Sequence, residues 1–436
     1  MNMIMSKDNF KETELGSIPI DWDIKELNEL RNKNDKYSLT GGPFGSELKT
    51  IHYTNTGVRV IQLQNIGDGI FLNDYFVYTS EEKANQLLSC NIYPNEIIIA
   101  KMADPVARAC KIPDLEKRYV MCSDGIRLSV NNNIYNKDFI LYAINSKYFR
   151  ENAIKASTGT TRLRIGLETL RNLKVIIPSL KEQHKIATIL SIVDDLIENT
   201  DHLINSYTLL KKSLMQILLI KGIGHTEFKE TDLGEIPVNW EIVKLGLIVE
   251  LKHGYQFREN DLTKSGIPII KIGQISNNRK LDFTNITFID ENRLSEFRDN
   301  LINNDDVLMS LTGNIGRVVI VKNLKGYAVQ NYRVGRFIPD ETKLNKQFLV
   351  FILESNYIYQ QFNMLSNKTA QANFGKQDIN KIKVLLPPIE EQQKISFLLS
   401  LIDKTLENYE YENEKLIELK QGLMQQLLTG KIRVRT

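Results

Sequence analysis

Features that would mark a membrane protein or a disulfide-stabilised protein are missing from this 436-residue chain. Cysteine is scarce, and Cys90, Cys110 and Cys122 do not have the spacing of a disulfide framework or a zinc site. The first ten residues contain no apolar stretch typical of a signal peptide, and no run of 18 apolar residues predicts a membrane span. We therefore expect a cytoplasmic protein in a reducing compartment.

Catalytic motifs are also missing. There is no G-x-x-x-x-G-K-[ST] loop for nucleotide phosphates, no [DNS]-P-P-[YFW] tetrapeptide of amino-methyltransferases and no glycine-rich loop for S-adenosylmethionine. The sequence P-D-E-T-K, from Pro339 to Lys343, has the letters of a nuclease site. Metal-dependent cleavage, however, needs carboxylates that converge from separate strands, so we interpret it as a charged surface turn. The histidines are scattered, and we predict no metal site and no catalytic residue.

The composition is that of a soluble protein with sizeable cores. Hydrophobic residues make up 42% of the chain and charged residues 25%, and the length suggests two to four domains. The formal net charge of +3 neither demands nor excludes nucleic acid, because only a local basic patch contacts phosphates.

An internal repeat dominates the sequence. K-V-I-I-P-S-L-K-E-Q-H-K-I begins at Lys174, and K-V-L-L-P-P-I-E-E-Q-Q-K-I begins 209 positions later at Lys383. A second pair of boxes, F-K-E-T-E-L-G-S-I-P-I-D-W and F-K-E-T-D-L-G-E-I-P-V-N-W, ends at Trp22 and Trp240. Glycine and proline inside these boxes favour turns, and we expect each tryptophan to anchor its box on a neighbouring surface.

Each copy of the first repeat opens a predicted long helix. When a and d positions are counted from Ile186 and from Ile395, nine of ten are apolar in the first helix and seven of ten in the second. We predict that the two helices pair as an antiparallel coiled coil. The alternative is that each helix packs only on its own domain. It also stays open whether residues 199–201 interrupt the first helix.

The predicted fold class is α+β. Two mixed α/β domains are separated by the two paired helices in a dumbbell with pseudo-twofold symmetry. The predicted segments are an N-terminal docking arm (1–25), a first mixed domain (26–173), a central helical spacer (174–224), a linker that repeats the arm (225–244), a second mixed domain (245–382) and a C-terminal helical spacer (383–436).

Further motifs complete a family pattern. G-P-F-G-S-E-L-K starts at Gly42 and L-T-G-N-I-G at Leu311, and P-x-x-x-E-Q-x-K-I helix starts occur at Pro178 and Pro387. Together with the paired L-G-x-I-P-x-x-W boxes and the L-M-Q-x-L-L helix ends, they occur in the expected order over essentially the whole chain. This pattern resembles the specificity subunit of Type I restriction-modification enzymes.

The resemblance implies that the mixed domains are target recognition domains, each of which reads one half of a gapped, asymmetric site in double-stranded DNA. The helices, on the order of 60 Å long at about 1.5 Å per residue, would set the spacing and dock two methyltransferase (modification) subunits. Those subunits flip and methylate adenine with S-adenosylmethionine, and motor-nuclease (restriction) subunits use ATP and Mg²⁺. The chain itself would be non-catalytic, without a cofactor and without a membrane partner.

Three alternatives remain at this point. The chain could be the recognition subunit of a Type IIB-like bipartite system, a coiled-coil adaptor without a nucleic-acid role, or an enzyme whose active site the motifs do not reveal.

Candidate DNA-binding residues are polar residues in predicted loops, because Arg, Asn and Gln read base edges and Lys and Arg hold phosphates. In the first domain they are Ser46, Lys49, Lys101, Arg108, Arg162 and Arg164. In the second domain they are Lys271, Gln274, Thr312, Asn314, Arg317, Asn331, Gln371 and Asn373. For each of them the alternative is a solvated surface side chain.

Candidate partner-docking residues come from the near-identical starts of the two helices. They are Glu182, Gln183, Lys185, Glu391, Gln392 and Lys394. The alternative for the glutamates is a capping role, since a carboxylate in the first turn interacts favourably with the helix dipole.

Overall fold

The chain's structure is a computed structural model that describes residues 9–102, 104–276, 279–313, 315–366, 374–375 and 377–435, and only the backbone of residue 366. Contacts divide the chain into two compact units. Unit 1 contains residues up to Asp201 together with residues from Tyr411 onward, and unit 2 runs from His202 to Glu410. These limits follow contacts, whereas the predicted segments follow motifs. Each unit therefore includes part of both long helices.

The elements of unit 1 are mostly short strands, as the β-branched runs between turns predict. The strands are β1 (Phe10–Thr13), β2 (Gly16–Pro19), β3 (Asp23–Glu26), β4 (Leu39–Gly41), β5 (Tyr53–Thr54), β6 (Val58–Ile61), β7 (Tyr78–Thr79), β8 (Asn91–Ile92), β9 (Ile97–Ala100), β10 (Ala109–Lys111), β11 (Tyr119–Met121), β12 (Gly125–Leu128) and β13 (Lys174–Ile177). The helices are α1 (Glu81–Gln86), α2 (Lys137–Ile144), α3 (Lys147–Lys155), α4 (Leu167–Arg171) and the first part of α5 (Leu180–Leu218).

The elements of unit 2 follow the same plan. The strands are β14 (Phe228–Thr231), β15 (Gly234–Pro237), β16 (Glu241–Lys244), β17 (Val249–His253), β18 (Ile267–Ile270), β19 (Thr287–Ile289), β20 (Leu301–Ile302), β21 (Val307–Ser310), β22 (Val318–Ile320), β23 (Ala328–Gln330), β24 (Val334–Pro339) and β25 (Lys383–Leu386). The helices are α6 (Lys346–Glu354), α7 (Asn356–Ser366) and the first part of α8 (Ile389–Leu427).

Short 3-10 helices connect these elements. In unit 1 they are Leu27–Glu29, Thr50–His52, Leu63–Asn65 and Leu88–Cys90. In unit 2 they are Leu245–Leu247, Glu259–Asp261, Ile272–Gln274, Glu291–Asn300 and Asp378–Lys381.

Sheet topology is repeated from unit to unit. Unit 1 has an antiparallel sheet β10-β9-β12-β4 and a mixed sheet β5-β7-β6-β11-β8, in which β6 and β11 are parallel. Unit 2 has the equivalent sheets β22-β21-β24-β17 and β19-β18-β23-β20, in which β18 and β23 are parallel. Each unit also pairs its first hairpin (β1-β2 or β14-β15) and joins the strand before its long helix to the strand after the box (β13-β3 or β25-β16). The internal repeat is therefore a repeat of fold.

The predicted helices between the strands are each divided in two. Ser146 separates α2 from α3, and its hydroxyl accepts a hydrogen bond from Phe149 N at 3.4 Å. Ser355 stands at the same place between α6 and α7. A serine that caps a new helix is a frequent cause of such a break.

The N-terminal boxes fold as β-hairpins rather than helices, which confirms the prediction from glycine and proline. Gly16 and Gly234 have φ of 97° and 94°, a left-handed conformation that glycine adopts without strain. The indoles of Trp22 and Trp240 are fully buried in the main core of their units. Their role as anchors is confirmed.

The long helices α5 and α8 are each a single 39-residue element, so residues 199–201 do not interrupt α5. Inside each unit the two helices run antiparallel. In unit 1, Lys420 contacts Asp194 and Asn413 contacts Asp201, so the partner's number falls as the α5 number rises. In unit 2 the rings of Tyr207 and Tyr409 lie 5.6 Å apart, and Lys211 pairs with Asp403, so the partner's number falls again. The antiparallel pairing predicted from the seam is confirmed within each unit.

The set of buried positions along α5 differs from the predicted a and d positions, and the difference lies at the d positions. Ile186, Val193 and Thr200 are buried as predicted, but the predicted d positions of α5 from the second heptad on are 40–54% exposed: Leu196, Leu203, Leu210 and Ile217. The residue one place later faces inward instead, as Leu190 and Leu218 do. Most heptads of α5 have apolar residues at both places, so the sequence pattern allowed either register. The predicted d positions of α5 from the second heptad on are wrong, whereas Ile189 packs against the core of unit 1.

The corrected register gives a test on two adjacent leucines of α8. Leu399 is fully buried, whereas Leu398 is 41% exposed. We expect Leu399→Ala to lower the free energy of unfolding by about 2–5 kcal/mol, the usual cost of a cavity. Leu398→Ala should cost less than about 1 kcal/mol. Urea denaturation followed by circular dichroism measures both. Equal losses in the two variants would contradict the corrected register.

Candidate nucleic-acid interface

The loop after β4 in unit 1 is held against the backbone of a second turn. A Cβ on Gly42 would lie 1.7 Å from the carbonyl oxygen of Cys122, so only glycine permits this approach. The loop closes on itself, because Phe44 N donates to the Glu47 carboxylate at 2.8 Å. Ser46 and Lys49 are exposed on this loop, as a role at a ligand surface requires.

Lys101 and Arg164 are brought together beside Asp124, although 63 positions separate them in the chain. Arg164 forms an ion pair with Asp124 at 2.6 Å, and the Lys101 ammonium donates to the carbonyl of Ser123 at 3.0 Å. The backbone joins the same segments, since Ile165 N donates to the Lys101 carbonyl. Burial lowers the pKa of Lys101 from its ordinary value, and the carboxylate of Asp124 opposes that shift.

The other two candidates of unit 1 have different surroundings. Arg162 is exposed on the same loop as Arg164. Arg108 instead donates to the carbonyl oxygen of Leu63 at 3.1 Å and of Asp104 at 3.4 Å. Its guanidinium therefore joins two loops of the unit.

In unit 2 two candidates are buried structural residues. Gln274 is 8% exposed, and its side-chain oxygen accepts a hydrogen bond from Lys271 N at 3.2 Å. Asn331 is 6% exposed, and its side-chain oxygen accepts from Arg333 N at 3.2 Å. In unit 1 Asn65, which corresponds to Gln274, accepts a hydrogen bond from Gln62 N in the same way. The side-chain oxygens of Gln274 and Asn331 therefore have internal roles, and contact of these residues with DNA stays a prediction.

The remaining candidates of unit 2 are less defined. Lys271, Thr312 and Arg317 are half-buried on neighbouring turns. The hydroxyl of Thr312 and the Nε of Arg317 are buried without a hydrogen-bond partner among the described residues. Asn314, Gln371 and Asn373 lie outside the described residues.

Arg258 is a candidate that the sequence analysis missed. It immediately precedes a 3-10 helix, as Lys49 does, and both residues are exposed. In each case the backbone N donates to the side chain three residues later, at 2.8 Å for Arg258 and 3.0 Å for Lys49. The signal was available, because the 209-residue shift that aligns the following strands also aligns Lys49 with Arg258.

The helix-start residues proposed for docking are mostly used inside the units. Glu182 accepts from Trp22 Nε1 at 3.2 Å, and Glu391 accepts from Trp240 Nε1 at 3.0 Å. Their neighbours are buried too, and Gln183 accepts from Asn136 N at 2.9 Å.

Gln392 makes the equivalent bond in unit 2, where it accepts from Asn345 N at 2.8 Å. The docking prediction is therefore corrected for Glu182, Gln183, Glu391 and Gln392. Lys185 and Lys394 are exposed, and for them docking stays a prediction.

Glu182 and Glu391 each have a second, basic partner, which differs between the units. Arg433 donates to Glu182 at 2.6 Å and forms a bidentate pair with Asp21 at 2.8 Å. In unit 2 the imidazole of His225 lies 2.7 Å from Glu391. Sequence reasoning did not place either basic residue beside these glutamates.

No group of three or more His, Cys, Asp or Glu residues is arranged to hold a metal in the described parts of the chain. The P-D-E-T-K stretch is a turn, as interpreted. Asp340 accepts hydrogen bonds from the backbone and hydroxyl of Thr342 and pairs with Lys343.

Among the helices of the described residues, none has the length and apolar character that a membrane span needs. Cys90, Cys110 and Cys122 are buried free thiols.

Comparison with protein families gives a match over most of the chain. The family model described as the Type I restriction modification DNA specificity domain matches residues 19–206 and 237–421. The two matches begin in the two boxes and include most of the two long helices, so they coincide with the internal repeat.

Relatives match over nearly the full length. The chain is 29% identical to the Type I restriction enzyme MjaVIII specificity subunit of Methanocaldococcus jannaschii, over 98% of this chain and 97% of that protein. It is 27% identical to the putative MjaX specificity subunit of the same organism, over 99% and 98%. The crystal structure of a Type I restriction-modification S subunit from M. genitalium has the same fold, with a TM-score of 0.58 at 16% identity and full coverage of both chains.

The Arg433 contacts give a prediction on pH dependence. The hydrogen bonds of Arg433 hold the pKa of Asp21 below its ordinary value of 3.8. A carboxylate with a depressed folded-state pKa contributes stability above its unfolded pKa, and that stability is lost as the pH falls through the folded pKa. Arg433→Gln should therefore lower the melting temperature at neutral pH and flatten the loss of stability below about pH 4.

Thermal melts from neutral to acidic pH measure this effect. Lys431→Gln, on the exposed neighbour two residues earlier, is the matched control and should behave like the wild type. Parallel pH profiles for wild type and Arg433→Gln would contradict the assigned pair.

Proposed function

Because the chain belongs to the Type I restriction modification DNA specificity family, we propose that it is the DNA-reading subunit of a restriction-modification complex, in which each unit reads one half of a split DNA site. Modification subunits would methylate adenine with S-adenosylmethionine, and restriction subunits would use ATP and Mg²⁺. None of these cofactors is proposed to bind this chain, and we propose that it is itself non-catalytic.

The observation that carries the proposal is one scaffold used twice with different polar side chains. The equivalent sheets have the same strand order and pairing, apart from the additional edge strand β5 of unit 1. Yet the polar letters of equivalent segments differ, since Thr160 to Ile165 reads T-T-R-L-R-I and Thr369 to Phe374 reads T-A-Q-A-N-F. A repeated scaffold with changed loop residues is what two readers of different half-sites require, because base edges are distinguished by the side chains that contact them.

Lys49 and Arg258 are the shared part of the two readers. Both are exposed cations at the same place in the fold, next to loops that differ. Phosphate contacts fix the register of a protein on DNA without carrying sequence information. We therefore propose that this pair binds phosphates and that the neighbouring residues, such as Arg164 in unit 1, read bases.

The long helices support a docking role for other subunits. Each unit carries an exposed apolar pair at repeat-equivalent positions, Ile192 with Leu419 in unit 1 and Leu401 with Leu210 in unit 2. These four side chains are 44–56% exposed. Exposed apolar patches on a protein surface commonly mark protein interaction sites. Two equivalent pairs support two modification subunits, and the lengths of α5 and α8 support a role in setting the spacer between half-sites.

The alternative of a Type IIB-like system is less favoured, because the long relatives carry Type I names. A coiled-coil adaptor without a role on DNA leaves the paired cations of the recognition loops unexplained.

Footprinting of the chain with a modification subunit separates these functions. We expect protection of two short half-sites with an unprotected gap, and a single continuous footprint or none would contradict the proposal. Mapping of methylated adenines in the host genome would then give the site.

The phosphate assignment predicts a uniform loss of affinity. Lys49→Ala and Arg258→Ala should each weaken binding to duplex DNA of any sequence, and each should reduce the slope of log K against log salt by about 1. Fluorescence anisotropy with a labelled duplex of arbitrary sequence measures this slope. Lys117→Ala and Lys322→Ala remove exposed cations from other turns and serve as controls. A slope unchanged in the first pair, or changed equally in the controls, would rule out the phosphate role.

The docking assignment predicts stoichiometry. Ile192→Ser should reduce the bound modification subunits from two to one, and Ile192→Ser with Leu401→Ser should leave none, because a hydroxyl in an apolar interface is left without a partner. Native mass spectrometry of the reconstituted complex measures the count. Asp195→Ser, on an exposed neighbour of Ile192 on α5, is the control. Full occupancy in the double variant would place docking elsewhere.

A further inference from the structure

Asp194 on α5 and Asp403 on α8 occupy the same position in the two repeats, and each forms an ion pair with the opposite long helix. Asp194 binds the ammonium of Lys420 at 2.5 Å, and Asp403 binds that of Lys211 at 2.6 Å. Lys211 and Lys420 are themselves repeat-equivalent. The two ion pairs are thus the same interaction made once in each unit.

A third group reaches each aspartate from the recognition part of its unit. In unit 1 the hydroxyl of Tyr142, on α2, donates to Asp194 at 2.6 Å. The repeat-equivalent residue in unit 2 is Phe351, on α6, which has no hydroxyl. In its place Arg279, from the loop between β18 and β19, lies over the Phe351 ring at 4.5 Å and donates to Asp403 at 2.5 Å. Each aspartate therefore joins both long helices to the recognition part.

The unit 2 junction is the more strongly charged of the two. The guanidinium of Arg279 also forms a forked pair with Glu354, at the end of α6. Burial alone would lower the pKa of Arg279, but the hydrogen bonds and charges of Glu354 and Asp403 outweigh it and raise the pKa. The side chain of Arg279 is only 16% exposed. Removal of one member of such a desolvated cluster leaves an uncompensated charge, which costs much more than a surface pair.

The matching loop of unit 1 is attached in another way. Asp68, after β6, pairs with Arg150 on α3 at 2.6 Å. In unit 1 the acidic residue is on the loop and the basic residue is on a helix. Unit 2 has the reverse arrangement, because the basic residue Arg279 is on the loop and its acidic partners Glu354 and Asp403 are on helices. The long-helix aspartate is therefore constant between the units, whereas its partner in the recognition part varies.

We propose that Asp194 and Asp403 are positioning residues that fix each recognition part on the paired long helices, and that Arg279 is the counterpart through which the second one is fixed. The proposal rests on the proposed function only for its consequence on DNA. If each reader is fixed in this way, loss of the anchor leaves base contacts intact but relaxes the distance at which the two half-sites are accepted.

Hydrogen exchange of the full-length chain tests the anchor without DNA. In Asp403→Asn and Arg279→Gln we expect amides of β18 and β19 to exchange roughly tenfold faster, with unit 1 unchanged. In Asp194→Asn the faster amides should be those of α2, with unit 2 unchanged. Asp195→Asn is the control on an exposed neighbouring carboxylate. Exchange rates equal to those of the control would overturn the proposal.

A transplant of the unit 1 anchor separates positioning from general stability. Phe351→Tyr in the Arg279→Gln background gives unit 2 the hydroxyl that Tyr142 supplies in unit 1. We expect the double variant to regain at least half of the protection lost in Arg279→Gln. Failure of the tyrosine to restore protection would overturn the equivalence of the two anchors.

Selection from a pool of duplex DNA with a randomised core, by the chain together with a modification subunit, tests the consequence. Wild type should enrich one gapped site, and Asp403→Asn should enrich the same half-sites with a several-fold broader distribution of spacers. An unchanged spacer distribution would overturn the positioning role. If wild type enriches no gapped site, the proposed function fails, while hydrogen exchange still decides whether the aspartates anchor the recognition parts.

Discussion

The burial of one apolar stripe along each long helix is the constraint on which the rest of the structure depends. The first turns of α5 pack into the core of unit 1 through Ile186 and Leu190, and its last turn packs into the core of unit 2 through Leu218. The helix α8 does the same in the opposite order, with Leu399 in unit 2 and Leu427 in unit 1. Neither core is complete without both helices, so the repeated helix sequences are needed for folding before any partner binds.

The residues that are most alike between the two repeats are explained by contacts inside each unit. The E-Q pair at each helix start binds the indole of the box and the cap of the neighbouring helix, so Glu182 and Gln183 in unit 1 do what Glu391 and Gln392 do in unit 2. A buried carboxylate with a specific donor is costly to replace. Near-identity between repeats therefore reflects a contact made in both units, and the surface that we propose for partners lies on exposed apolar positions further along the helices.

The recognition that we propose depends on parts of the sequence that vary between the repeats. The exposed cations Lys49 and Arg258 occupy one site in the scaffold, whereas Arg162 and Arg164 correspond in sequence to Gln371 and Asn373. Burial distinguishes the polar candidates better than residue type does. Gln274 and Asn331 are buried, and their side-chain oxygens accept backbone hydrogen bonds that close turns inside unit 2. A hydrogen-bonding atom that is used internally is not free to read a base edge.

The sequence by itself determined the repeat, the strand-rich units, the two antiparallel helices and the family, because these follow from periodicity and from motifs kept in register. Tertiary structure decided the rest. It selected the second of two adjacent apolar positions as the buried one, as Leu398 and Leu399 show, because a stripe that also packs on a domain is wider than a two-helix seam. It also brought Arg279 to Asp403 and Arg433 to Asp21. Pairs so distant in the chain depend on packing that no local pattern encodes.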